Sequence, residues 1–563
     1  MKVIEDGPTS VVFALLVLFG VASNPVISGA QDKPTPMLPS DAMCRDAAAM
    51  VADALTKPHW NGWGADLSQR RFQSAEMAQL ASSDVSKFKL KWAFGLPAVG
   101  RAVGQPAVVG GRIFIGSQAG KVYSLDANSG CVFWEFDAGA AVRSAMTASQ
   151  NSRGWSIYFG DGHAFAYAMD ASTGQLLWKT HVEDHPAAMI TGAPTLSGAT
   201  LFVPISSKEE FTGSDSRYPC CSFRGSLVAL EASTGKILWK SYTITQEAKA
   251  GGKNEAGVQM MGPSGAGVWS SPTVDEAKRL VYVTTGDNYS DPATDGSDAI
   301  MAFRMDSGEL AWSRQITSGD AYNMACGSRE PTNCPRAQGP DHDFGSSAIL
   351  VDLPSGKRAL IGAQKSGVVT ALDPDREGQQ LWQKRVGRGG VLGGIEWGAA
   401  ADRNNVYVAV SDVAVTAVPD GTPGSQKSFF GPSFLLDSKS GGGLYALKLE
   451  TGEQVWHTPH PGCNAVPGCS PAQSAAVTVI PGVVFSGGLD GHLRAYSTED
   501  GRILWDVDTK GDYRTVDGVA AHGGSIDGPG PVIVDGVVYV NSGYGFVGTM
   551  PGNALLAYSV DGR

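Results

Sequence analysis

No CxxCH motif occurs in the 563 residues, so haem c has no covalent attachment point on this chain. CxxC is missing too, which argues against zinc ribbons and thioredoxin-type chemistry. Charge is sparse, at 18% of residues, with 44 Lys and Arg against 55 Asp and Glu. The net charge of −11 and the lack of any Lys/Arg cluster argue against a nucleic-acid binder, because phosphate is held by clustered cations. Long apolar runs are also missing. The one uncharged block near the start, Val11 to Ala22, falls short of the about 20 residues that a membrane span needs. Followed by the small-x-small site Ser28-Gly29-Ala30, it makes residues 1–30 read as an export signal, although Glu5 and Asp6 offset Lys2. The expectation is a soluble periplasmic protein with no membrane span.

What is abundant points to a large buried core: 42% hydrophobic residues, 72 Gly and 13 Trp. Eight cysteines suit an oxidising compartment. Cys326/Cys334 and Cys463/Cys469 each bracket a short Pro- and Gly-bearing loop, a place for a local disulfide. Cys220 and Cys221 are adjacent, and a bond between them closes a strained eight-membered ring.

One pattern recurs: a strand, a turn of the Asp/Ser/Thr-Gly type, and a return strand ending in Trp. Its copies include GKVYSLDANSGCVFW, AFAYAMDASTGQLLW, GSLVALEASTGKILW and GHLRAYSTEDGRILW, with Trp at 134, 178, 239, 312, 382, 456 and 505. Repeated hairpins with further strands between them indicate propeller blades. The final half-repeat ALLAYSVDG stops before its Trp strand, whereas KLKWAF around Trp92 is a Trp strand without its hairpin partner. Joining the two gives an all-β, eight-bladed β-propeller over residues 60–563, its last blade closed by an N-terminal strand and preceded by a segment at 31–59. The longest spacings fall in the third to sixth blades, so long functional loops are expected there.

The ALDxxTGxxxW repeat and the opening WNGWGADLSQRRFQSAE resemble the quinoprotein alcohol dehydrogenases, which bind pyrroloquinoline quinone (PQQ) beside Ca2+. The form YPCCSFRG is similar to that of the polyvinyl alcohol dehydrogenase branch. The resemblance implies roles residue by residue. Trp269 matches the indole floor under the quinone, and its flat ring suits stacking. Asp287, with Asn288 as its neighbouring alternative, stands where the family has a calcium-ligating Asn, and either Glu209 or Glu210 matches the calcium Glu. Asp343 takes the place of the general base, with Asp341 as a rival. Lys365 matches the cation near the reactive quinone oxygens, and Arg143 a partner for a PQQ carboxylate. Thr191 and Ser207 match weaker hydrogen-bonding positions. Gly345 stands where lanthanide-dependent relatives carry a further Asp, which points to Ca2+. Cys220 and Cys221 correspond to the ring that covers PQQ from a different loop in methanol dehydrogenases. The implied activity is oxidation of secondary hydroxyls to ketones, in an alcohol substrate of the polyvinyl alcohol kind, with electrons leaving to a soluble cytochrome c. The alternative is a non-catalytic propeller of the outer-membrane assembly scaffold type, which has no need for this residue set.

Overall fold

The computed structural model describes residues 38–45, 50–152, 154–328, 332–423, 425, 433–463, 469–546 and 548–563. The export-signal reading, on residues 1–30, lies outside them. Each Trp-terminated hairpin forms the two outer strands of a four-stranded antiparallel sheet. In the first blade Lys121–Asp126 and Val132–Asp137 extend Ala107–Val109 and Arg112–Gly116. Seven blades follow this plan at 107–137, 147–181, 195–242, 273–315, 349–385, 400–458 and 478–508. The eighth joins Val532–Val534, Val537–Ser542 and Ala554–Val560 to the N-terminal strand Phe88–Gly95, with Trp92 opposite Ala557. This pairing covers the edge that the C-terminal strand would otherwise expose.

The repeat also shows why blades dock in register. The Trp134 indole donates to the Ala171 carbonyl of the next blade at 3.0 Å. Trp178, Trp239, Trp382 and Trp456 do the same toward Ala232, Met305, Leu449 and Thr498. The turn glycine of the receiving blade lies flat on that indole. At Gly174, where φ is +73°, an added Cβ would come within 2.7 Å of Trp134 Cδ2. The Thr-Gly pair therefore does two jobs, a left-handed turn and a close approach to an aromatic ring.

Residues 60–73 thread the middle of the ring and hydrogen-bond to all eight inner strands. Trp60 pairs with Val108, Asn61 with Ala148, and Gln69 reaches Thr195. Leu67, Ser68 and Arg70 accept from Val274, Leu350 and Ala401. Gln73 donates to Val479 and to Ile533. Arg71, 1% exposed, anchors the segment through Val477, Trp63, Gln105 and Thr478, and burial lowers its guanidinium to about 9. Cys326–Cys334 and Cys463–Cys469 are bonded, as is Cys220–Cys221. Cys44 pairs with Cys131 across 87 residues, fastening the N-terminal stretch to the first blade. Among the described residues no helix is long and apolar enough to cross a membrane.

Candidate active site

Four chain segments converge on one place, three bringing acidic groups and the fourth a lysine. Asp287 follows the blade-four strand Leu280–Thr284, Asp341 and Asp343 sit in the loop leading into blade five, and Lys365 follows Arg358–Ala363. Glu210 comes from the short helix Glu209–Thr212, which caps the long strand Thr200–Ser207. The Lys365 ammonium bridges Asp341 Oδ1 at 2.6 Å and Asp343 Oδ2 at 2.7 Å. Asp343 Oδ1 accepts the backbone N–H of Asp287 at 2.6 Å. Asp320 holds the arm from behind, accepting the N–H groups of Asp341 and His342.

The environments drive these groups apart. Burial, reinforced by Asp343 and Asp341, raises Asp287 well above the usual carboxylate range. Burial also raises Asp341, against the opposing charge of Lys365. Asp343 is the exception: burial pushes it up, but the charge and hydrogen bond of Lys365 outweigh that and hold it low. Lys365 is correspondingly raised, the two aspartates overcoming its burial. Glu210 still reaches solvent in part, yet crowding and then the Asp343 charge push it up to about 7. One oxygen each from Asp287, Asp341 and Asp343 lies within 4.8 Å of the others, with Glu210 outside that group. Both Asp287 oxygens are buried without a hydrogen-bond partner. Hard, orphaned carboxylate oxygens of this kind fit a Ca2+-type cation.

Beside the cluster lies a cavity lined by Trp63, Arg143, Thr191, Trp269, Gly345 and Trp397, among others. Trp397 stands edge-on to Trp269, their rings 5.3 Å apart at 90°. Arg143 lies over the Trp397 face at 4.3 Å, with one buried guanidinium nitrogen, Nη2, left without a partner. Gly286 and Gly345 line the junction of cavity and cluster. A Cβ on Gly286 would meet Asp343 Oδ1 at 2.5 Å and Trp269 Nε1 at 3.2 Å; one on Gly345 would meet Trp269 Cη2 at 2.9 Å. An indole face with glycine clearances and an unpaired guanidinium fits a flat, anionic cofactor such as PQQ.

Several sequence candidates point elsewhere. Glu209 is fully buried and faces the neighbouring loop, accepting from Tyr218, Ser222 and Phe223. Asn288 has its amide taken up by Ser264 and Thr294. The Ser207 hydroxyl bonds Ala187 and the Glu209 N–H, whereas the adjacent Ser206 meets Thr191 at 2.9 Å. Thr191 also donates to the Trp269 carbonyl, bracing the floor. Cys220 and Cys221 are fully buried in an apolar cluster with Phe223 and Tyr289, and neither lines the cavity. Three site residues escaped the sequence reading: Trp397, Glu396 and Asp527. Burial pushes Glu396 up to about 8 beside Lys365, and Asp527 binds the Ser474 hydroxyl and the Trp397 indole. The signal for Glu396 and Trp397 was slight, an acidic-aromatic pair in the Gly-rich stretch GGIEWGAA, and Asp527 lies far along the chain in GGSIDGPG.

The family description "PQQ: Glucose/ethanol/alcohol dehydrogenase, beta-propeller domain" matches residues 60–331. A polyvinylalcohol dehydrogenase from Pseudomonas sp. is 42% identical over 94% of this chain and 81% of that protein. The chain belongs to the polyvinyl alcohol dehydrogenase family of PQQ-dependent quinoproteins. It is thus an oxidoreductase of the alcohol dehydrogenase type. A second family member, from Sphingopyxis sp. strain 113P3, is 41% identical over 93% of this chain and 80% of its own length. Among solved structures, quinohemoprotein alcohol dehydrogenase ADHIIG of Pseudomonas putida HK5 shares the fold, with a TM-score of 0.65 at 20% identity over 92% of this chain and 83% of that one. Residues 435–563 also match the description of the outer membrane protein assembly factor BamB.

Proposed function

We propose that the protein oxidises secondary hydroxyl groups, including those of a polyvinyl alcohol-like polymer, to ketones in the periplasm and passes the electrons to a soluble cytochrome c. The observation that carries this reading is a low-lying carboxylate, Asp343, held by Lys365 at the edge of an indole-floored cavity with an unpaired arginine. Trp269 and Trp397 would hold the rings of PQQ, Arg143 a carboxylate of it, and Asp287 with Glu210 a Ca2+ ion. PQQ, when bound, supplies the two-electron acceptor for the hydride of the alcohol carbon. Asp343 is the base: ionised and water-shielded, it takes the hydroxyl proton on one of its oxygens. Lys365 keeps it ionised, and the Asp287 N–H fixes its orientation. The resemblance to polyvinylalcohol dehydrogenases at 42% identity supports the substrate class.

A scaffold role has the BamB-type match over 435–563 in its favour, but a scaffold gives no reason to bury three aspartates and a lysine together. The test is a dye-linked assay of protein reconstituted with PQQ and Ca2+ on polyvinyl alcohol, short secondary alcohols and primary alcohols. The expected result is turnover of the first two with ketone as product. Preference for primary alcohols would overturn the substrate assignment, and inactivity on every alcohol would overturn the enzymatic one.

A further inference from the structure

We propose that Asp341 is a direct ligand of the cation, so that the ion is held between Asp287 and Asp341 while Asp343 remains free to act as base. The inference rests on the reading above that a hard cation occupies this cluster. Asp341 is 1% exposed, and its two oxygens differ. Oδ1 accepts from Lys365 at 2.6 Å, whereas Oδ2 is buried and has no hydrogen-bond partner. A carboxylate that served only as the counter-ion of Lys365 would leave that oxygen unsatisfied, at a cost of several kcal/mol. The fold holds it there. The Asp341 backbone is in the left-handed region, φ +57°, which an Asp tolerates better than most residues, and Asp320 clamps its N–H at 3.1 Å.

Two further observations bear on the same point. Both oxygens of Asp287 are orphaned in the same way, and one of them belongs to a group with Asp341 and Asp343 whose ligand atoms all lie within 4.8 Å of one another. Asp287, Asp341 and Asp343 carry three negative charges when ionised, and the one ammonium at the cluster, Lys365, already bonds two of them. Without an ion the cluster can balance its charge by keeping Asp287 and Asp341 protonated, as their raised values require, and a bound cation would take the place of those protons. The further Asp that lanthanide-dependent relatives carry two residues after the base is replaced here by Gly345. The structure supplies it two residues before, and position 345 has no room, since a Cβ there would strike the Glu396 carbonyl at 2.3 Å.

Ligation and mere positioning differ in the hydration of the ion: losing a ligand opens a coordination position that water fills, whereas losing a neighbouring charge weakens binding without adding a water. The attraction between a carboxylate and a bound ion scales with the ion's charge, so losing a ligand harms a trivalent ion about half again as much, in free energy, as a divalent one. The experiment titrates purified, PQQ-free protein with CaCl2 and separately with TbCl3. Calorimetry and tryptophan-sensitised Tb3+ emission are the readouts, so no catalytic turnover is involved. Asp341→Asn is expected to weaken Ca2+ binding about 100-fold and Tb3+ binding about 1,000-fold. The terbium emission lifetime in H2O against D2O should also report about one more bound water. Equal affinities in variant and wild type, or weakened binding of either ion with no added water, would overturn the inference and leave Asp341 as a positioning group for Lys365. Should the asparagine variant fail to fold, Asp341→Ser carries the same comparison. If wild-type protein binds neither ion, it is the cation reading itself that falls, an outcome distinct from the other two.

Discussion

Replacing Asp343 by Asn changes one atom and tests the proposed base. The structure indicates what survives. The Asn carbonyl can still accept the Asp287 N–H, the bond now made at 2.6 Å, and Lys365 keeps Asp341 at 2.6 Å. What is lost is the charge-assisted bond from Lys365 to Asp343 Oδ2, where an amide NH2 would face an ammonium. That costs about 1.5–3 kcal/mol locally, a loss the eight-bladed ring should tolerate. Turnover should suffer more, because the amide cannot accept the hydroxyl proton. A general base contributes roughly 100- to 10,000-fold, or about 3–5 kcal/mol of barrier. The assay compares kcat of reconstituted wild type and variant on a secondary alcohol, with PQQ affinity measured alongside by fluorescence quenching. Retained PQQ affinity with a 100-fold or greater fall in kcat is expected. A loss below about tenfold with PQQ still bound would refute the assignment.

Arg143→Ala should weaken PQQ binding by at least tenfold in the same quenching titration while lowering the melting temperature only slightly, because the unpaired Nη2 makes no protein bond and only the stacking on Trp397, about 0.5–2 kcal/mol, is lost. Gly174→Ala should destabilise the blade junction by about 2–4 kcal/mol, combining a left-handed backbone penalty with the clash against Trp134, seen as a lowered midpoint in urea. Burial pushes Asp517, whose Oδ1 accepts from Gly95 in the closing strand, up to about 6. Its folded-state value exceeds the unfolded one, so the stability it confers is full below about pH 4 and is lost as pH rises toward 6. Asp517→Asn should flatten the fall in melting temperature across that window, and an unchanged slope would assign the fall to other groups.

The propeller was legible because its repeat is local: alternating apolar strands, a turn glycine and a terminal Trp fall within about fifteen residues, and each is demanded by one blade contact. Closure was legible for the same reason, since an orphan Trp strand and an orphan hairpin stand at opposite ends of the sequence. The bonded pairs Cys326–Cys334 and Cys463–Cys469 lie across short loops, whereas Cys44–Cys131 spans 87 residues and carried no local signal. The site was harder to read. Neighbouring side chains point in opposite directions, so a register uncertain by one residue left Glu209 beside Glu210 and Asn288 beside Asp287, and it selected Ser207 where Ser206 is the one that meets Thr191. The clustering of Asp287, Asp341 and Asp343 joins blade four to the loop before blade five, and Trp397 and Asp527 come from still later blades. Such convergence depends on ring geometry, which no short motif encodes. The eight-way threading of residues 60–73 was invisible for the same reason: each of its contacts lies in a different blade.

Catalysis as proposed needs a quinone in the cavity and a cation on the neighbouring carboxylates. Titrating purified, metal-stripped protein with PQQ in the presence and absence of Ca2+, while following tryptophan fluorescence and dye reduction with a secondary alcohol, tests it most directly. The account predicts saturable binding of one PQQ per chain, quenching that is lost in Trp269→Ala, and dye reduction only when both PQQ and Ca2+ are present. Full activity without added cation, or a folded protein that binds no PQQ under any condition, would contradict it.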